Sequence, residues 1–153
     1  TSDTHKVAAS LMGYDICPHE IYRKIHSLCL PEDIKFIGRH ISQLKFSSDR
    51  KICWVMISRW QERKYDLTEI TFSIMRRLKD PLVFIIFKKV GKERTRVNFR
   101  SHSKIDVNKI AKFFGGGGHQ RASGTTIAGS LKDSEKRVIS FVSDFINAAK
   151  KRN

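Results

Sequence analysis

Apolar residues recur at helical spacing through the first 45 positions of the chain. Val7, Ala8, Leu11 and Met12 share one side of a short helix expected over residues 4–12, with Gly13 as its stop. Pro18 suits the first turn of a second helix that carries Ile21, Tyr22, Ile25 and Leu28 inward. Pro31 opens a third, with a stripe of Ile34, Ile37, Ile41 and Leu44. Beyond Lys45 the period changes. Ser47-Ser48-Asp49-Arg50 reads as a turn, and the nearly continuous apolar run within residues 51–59 predicts a strand covered on both faces. A helix is expected over 67–78, with Leu67, Ile70, Ile74 and Leu78 inward, and Asp80-Pro81 ends it. Leu82 to Val90 predicts a second buried strand, Gly91-Lys92 turns the chain, and Glu93 to Ser101 returns as its antiparallel partner. Along that return Thr95, Val97 and Phe99 point one way, while Arg94, Arg96, Asn98 and Arg100 point the other.

Asp106 is placed to cap a short helix that turns Val107, Ile110, Ala111 and Phe114 toward the core. After a run of glycines, Thr125 to Ala128 fits a short strand. Asp133 to about Lys150 fits a final helix with Val138, Phe141, Val142, Phe145 and Ala149 inward. The fold class is α/β: a mixed β-sheet flanked by helices and preceded by a helical arm. With 153 residues and 40% hydrophobic content the chain can bury a single core. Lys and Arg outnumber Asp and Glu 30 to 15, and the resulting charge of +15 favours polyanionic partners or an acidic neighbouring domain. Cys17, Cys29 and Cys53 form no paired motif, which argues against a disulfide framework or a zinc site and fits a reducing cytoplasm. The apolar run from Leu82 to Phe87 is far too short to span a bilayer, so no membrane partner is expected. The chain begins with Thr rather than Met, as a fragment, a processed chain or an expression boundary would.

The candidate chemistry gathers around Gly115, Gly116, Gly117, Gly118 and His119. Residues without a Cβ allow positive φ and let a ligand approach the main-chain amides. His119 follows at once, and Ala122-Ser123-Gly124 suggests tight packing behind the loop. A flexible linker is the bland alternative, but linkers are seldom flanked by a capped helix before and a second turn after. On the strand face, Arg94 and Arg96 read as solvated, whereas Arg100 stands at the strand end beside Ser101. Its guanidinium can fork two donors onto a phosphate. Arg121 adds charge nearby or is simply solvated, and His102 and Ser103 read as spacers. Trp54 is expected in the core and Trp60 at an exposed strand end.

The ten residues Gly115 to Gly124, with Asp106 to Ala111 and Phe99-Arg100-Ser101 before them, resemble the C-terminal DHH-associated domain of DHH-family phosphoesterases. The branch they resemble is that of bifunctional oligoribonucleases (nano-RNases) and 3′-phosphoadenosine 5′-phosphate phosphatases, and the likeness covers essentially the whole chain. Ser123 departs from the family's usual alanine. The resemblance implies that residues 1–45 are a helical connector and 46–153 a substrate-binding domain. It implies that Arg100, Ser101 and His119, with the loop glycines, hold the terminal phosphate of a short single-stranded RNA or a phosphorylated nucleotide. It implies an N-terminal DHH catalytic domain as partner, with manganese bound there and no cofactor in this chain. A two-metal centre needs clustered hard oxygen ligands and imidazoles. No Asp-His-His occurs here and the aspartates are scattered, so the chain is expected to bind substrate without cleaving it alone. The glycine run is no Walker loop, because Gly-His-Gln replaces Gly-Lys-Ser/Thr, and no dinucleotide fingerprint, because it follows a helix. Two alternatives stay open: a stand-alone basic nucleic-acid-binding module, and a dimerisation or docking domain. The sequence also leaves open a homodimer and the choice among nano-RNA, phosphoadenosine phosphate, a cyclic-dinucleotide product and DNA.

Overall fold

A computed structural model of the chain describes residues 1–26, 29–59, 66–102 and 104–150. Helices α1 (Ser2–Met12), α2 (Pro18–His26) and α3 (Pro31–Ile41) lead into β1 (Lys45–Phe46) and β2 (Ile52–Ile57). Then come α4 (Thr68–Met75), β3 (Val83–Gly91), β4 (Arg94–Ser101), α5 (Val107–Phe113), β5 (Gly117–His119), β6 (Ala122–Ala128) and α6 (Leu131–Lys150). The strands form one sheet in the order β1-β2-β3-β4-β6-β5. Only β2 and β3 run parallel, with α4 in the crossover between them; the other neighbours are antiparallel. This is the mixed α/β sheet with flanking helices that the hydrophobic pattern predicts.

Strand alternation divides the core in two. Ile52 and Trp54 of β2, Val83, Ile85 and Phe87 of β3, Val97 and Phe99 of β4 and Ile127 of β6 share one face. There they meet Val107, Ile110 and Ala111 of α5 and Val138, Val142 and Ile146 of α6. Trp54 is buried as expected, and its indole N–H donates to Glu135 of α6 at 2.6 Å. On the opposite face Cys53, Val55, Ile57, Phe84 and Ile86 pack against Phe36 and Ile37 of α3 and Leu67, Phe72 and Met75 at α4. That second cluster takes no residue from β4, β5 or β6. Among the described residues, half of this sheet face has no helical layer over it.

The helical arm differs from the expectation. Val7, Leu11, Met12, Ile21, Tyr22 and Ile25 are exposed, and α1 and α2 bury none of their residues. Leu28 lies outside the described residues. In α3 the buried residues include Phe36 and Ile37, whereas Ile34 is exposed. Helical periodicity identifies an apolar side but does not say whether its partner belongs to the same chain. In α4 the core positions are Phe72 and Met75, with Thr68 and Thr71 also buried, and Ile74 is exposed. In α6, Ile146 is fully buried while Phe141 and Phe145 are half-buried.

Candidate functional site

The glycine run is three pieces of structure rather than one loop. Asp106 caps α5 as predicted, accepting from the amides of Asn108 (3.0 Å) and Lys109 (3.3 Å). At the other end Gly115, with φ +74°, takes the left-handed conformation that stops the helix. Its amide donates to Lys112 O at 3.0 Å, and that of Gly116 to Ala111 O at 2.8 Å, the paired bonds of a Schellman ending. Those two amides therefore serve the helix and not an anion. Gly116 has no positive φ; it is needed because a Cβ there would stand 2.3 Å from Gly124 O and 2.5 Å from Thr125 Cβ. Gly118 combines φ +143° with a Cβ position 2.6 Å from Ala122 O. At Gly117, which also lacks a positive φ, the nearest atom to a Cβ would be Asn108 Oδ1 at 4.0 Å. Gly117, Gly118 and His119 form β5, an edge strand on β6, where the sequence reading expects a loop. Glycine has little strand propensity of its own, and the pairing comes from β6.

The register then brings Arg100 and His119 together. His119 pairs with Ala122, and Ala122 pairs with Arg100, so all three side chains stand in one row on the face opposite α5 and α6, where the described residues place no helix over β5 and β6. Two strand spacings, about 10 Å, separate the outer members. The next row is Asn98, Gly124 and Gly117, and beyond it stand Lys88, Arg96 and Thr126. Small residues thus form a floor between basic side chains. Ser101 is not brought to this face. Being one residue from Arg100 in a strand, it points to the opposite side, where it is buried, and its amide donates to Arg121 O at 3.1 Å. Arg121 itself is exposed in the β5–β6 turn. Ser123, the departure from the family pattern, also faces away and donates to Val107 O at 2.6 Å, tying β6 to the start of α5.

Arg100 is held rather than free. One guanidinium nitrogen donates to Phe99 O at 3.0 Å, another pairs with Glu69, and the group lies 4.8 Å over the Phe72 ring. Its side chain is 17% exposed, against 62% for Glu69, so α4 forms a wall beside the floor. Behind that wall Lys88 is buried and donates to Thr68 Oγ1 at 2.8 Å. Burial pushes the Lys88 ammonium below its usual range; Asp66 opposes this, and the neighbouring Arg96 and Arg100 add to it. Burial works on Asp66 the other way, but the hydrogen bonds from Thr68 and the charges of Lys88 and Arg100 outweigh it and hold the carboxyl below its usual value. These wall residues were missed in the sequence, although Lys88 carried a signal as a charge ending an otherwise apolar run. His102, read as a spacer, bonds Arg76 O at 3.1 Å and packs edge-on against Phe84. Ser103 and Trp60 lie outside the described residues.

Among the described residues no three His, Cys, Asp or Glu side chains gather in a way that could hold a metal ion. The described side chains alone do not supply the donors of a two-metal centre. A groove of 740 Å³ lies elsewhere, between the end of α5, β6 and α6, lined by Phe113, Phe114, Phe141 and Arg137 among others. Among the described residues no helix is long and apolar enough to cross a membrane.

The six-stranded mixed sheet and its flanking helices define an α/β domain. The chain belongs to the DHHA1 domain family, whose model matches residues 41–148. It is 24% identical over 150 residues to the bifunctional oligoribonuclease and PAP phosphatase NrnA of Thermus thermophilus, covering 97% of this chain and 45% of that protein. Its fold matches an exopolyphosphatase-related protein from Bacteroides fragilis with a TM-score of 0.83 at 18% identity, over 99% of this chain and 44% of that one. It also matches the pGpG-specific phosphodiesterase PggH of Vibrio cholerae, with a TM-score of 0.53 at 15% identity, over 84% and 41% of the two chains. The chain spans less than half the length of each of these relatives.

Proposed function

We propose that this chain is the substrate-binding part of a manganese-dependent DHH phosphoesterase that degrades short RNA oligonucleotides or dephosphorylates phosphoadenosine nucleotides. The observation that carries the reading is the row of Arg100, Ala122 and His119, which runs from the edge of α4 across the part of this sheet face that has no helical layer among the described residues. An arginine and an imidazole about 10 Å apart across a small residue can grip the two sides of a terminal phosphate and its nucleotide. The relationship to NrnA supports the substrate class. In this reading residues 1–45 are the connector, whose last helix also covers the sheet, and 46–153 the substrate-binding domain. The exposed apolar sides of α1 and α2 support a connector that packs on an N-terminal catalytic domain. Metal chemistry, manganese included, belongs to that domain.

The test is a titration of dinucleotides with and without a terminal phosphate against wild type, Arg100→Ala and His119→Ala. Loss of Arg100 is expected to weaken the phosphorylated ligand by about 1.5–3 kcal/mol and to leave the unphosphorylated one nearly unchanged. The charge of +15 favours a second reading, a general basic nucleic-acid-binding module. Equal losses for both ligands, with affinity growing with oligonucleotide length, establish that reading instead.

A further inference from the structure

Two residues along a strand advance about 7 Å, comparable with one nucleotide step in an extended single strand. The floor beside the Arg100 row is built to match. Gly124 pairs with Asn98 and with Gly117, so the second row has no side chain in two of its three positions. A Cβ on Gly124 would stand 3.0 Å from a terminal guanidinium nitrogen of Arg96 and 3.2 Å from the side-chain nitrogen of Asn98. Both donors therefore close over the glycine, beside the Val97 carbonyl at 3.0 Å, so a ligand oxygen meets these two side chains rather than the sheet backbone. Arg96 also reaches Thr126 Oγ1 at 3.5 Å, and among the described residues it pairs with no carboxylate. Arg100, by contrast, has Glu69. Lys88 stands in the same row as Arg96 and feels its charge. Around this corner, among the described residues, Lys88, Arg96 and Arg100 lie near the carboxylates of Asp66 and Glu69. The side-chain oxygen of Asn98 is buried without a hydrogen-bond partner among the described residues, and it is the donor nitrogen of the same amide that stands at Gly124.

We propose that Arg96 and Asn98, whose donors meet over Gly124, form a second phosphate subsite that takes the internucleotide phosphodiester next to the terminal phosphate. The inference rests on the proposed function and extends it. A chain with this floor selects oligonucleotides over mononucleotides, because only the former carry a phosphodiester to place there. The sequence pattern left Arg96 as a solvated residue; the register and the glycine beneath it give it a ligand.

Three probes test this against the 153-residue chain: adenosine monophosphate, and the di- and triadenylates bearing one terminal phosphate. Arg96→Gln is expected to leave the mononucleotide within about twofold of wild type and to weaken both oligonucleotides by about tenfold or more, the loss of one charge-assisted contact. Arg96→Lys, which keeps the charge and loses the fork, falls between them. It also serves as the reading variant if Arg96→Gln melts early. Arg100→Gln, as control, weakens all three probes. An unchanged oligonucleotide affinity in both Arg96 variants overturns the inference and leaves the proposed function standing, and so does an equal loss on all three probes. Wild type that binds none of them removes both.

Discussion

On the proposed function, Arg100 is oriented by groups that cost it little and by one that would compete with a ligand. The Phe99 carbonyl and the Phe72 ring fix the guanidinium plane, while Glu69 occupies a donor that a phosphate needs. Glu69 is largely exposed, so its ion pair contributes little to stability, about 0.2–1 kcal/mol. Glu69→Gln is therefore expected to tighten binding of a terminally phosphorylated dinucleotide by up to about fivefold with the melting temperature almost unchanged. A weaker complex in that variant would show that Glu69 assists the ligand instead of competing with it. Neighbouring glycines separate packing from access in the same way. Valine at Gly116 collides with the backbone of Gly124 and with Thr125, and is expected to cost about 1–3 kcal/mol of stability or more. Valine at Gly117 meets only Asn108 Oδ1 at 4.0 Å, so it is expected to fold and to lose ligand. Thermal melts set beside titrations of the two variants decide the matter; a Gly117→Val protein that binds like wild type takes this glycine out of the site. From sequence alone the two glycines are indistinguishable, because the contact that separates them is made by a strand several residues further on.

At the scale of elements, the legible features were those whose signal is local. Asp106 and Gly115 bound α5 as a cap and a left-handed stop should, and the alternation of β4 sorted Thr95, Val97 and Phe99 from the arginines correctly. What was not legible depends on partners distant in the chain. β5 is a strand because β6 pairs with it, and its row with Arg100 follows from a register that no local pattern contains. The family resemblance groups Ser101 with Arg100, and the structure places the two on opposite faces of β4, as neighbours in a strand are. Helices α1 and α2 read as inward-facing because their period is right, yet they bury nothing. At 11 and 9 residues, neither is long enough to be stable on its own in water. Hydrogen exchange on this chain is expected to show α1 and α2 unprotected within seconds, while β3 and β4, buried at the centre of the sheet, exchange only with global unfolding. Strong protection in α1 or α2 would mean that the apolar stripe has found a partner, and its dependence on protein concentration would tell whether that partner is a second copy.

For the molecule as a whole, the sheet divides labour between its two faces. One is sealed by α5 and α6 and supplies stability; the other is sealed over β2 and β3 only, and presents a basic floor. Hydrolysis of a phosphodiester needs an activated water and stabilisation of charge on the leaving oxygen. The floor supplies cations that can orient a phosphate, but among the described residues it has no cluster that could hold the metal ions of a DHH centre. On the proposed function, this chain positions a substrate whose nucleophile is activated elsewhere. The 153-residue chain is therefore expected to leave a terminally phosphorylated dinucleotide intact in the presence of manganese, even at concentrations that saturate binding. Chromatography of the ligand over time checks this, beside a binding isotherm on the same sample so that inactivity is not confused with absence of complex. Release of mononucleotide in proportion to protein, abolished by a chelator, would place a complete metal centre on this chain and overturn the division between binding floor and catalytic partner.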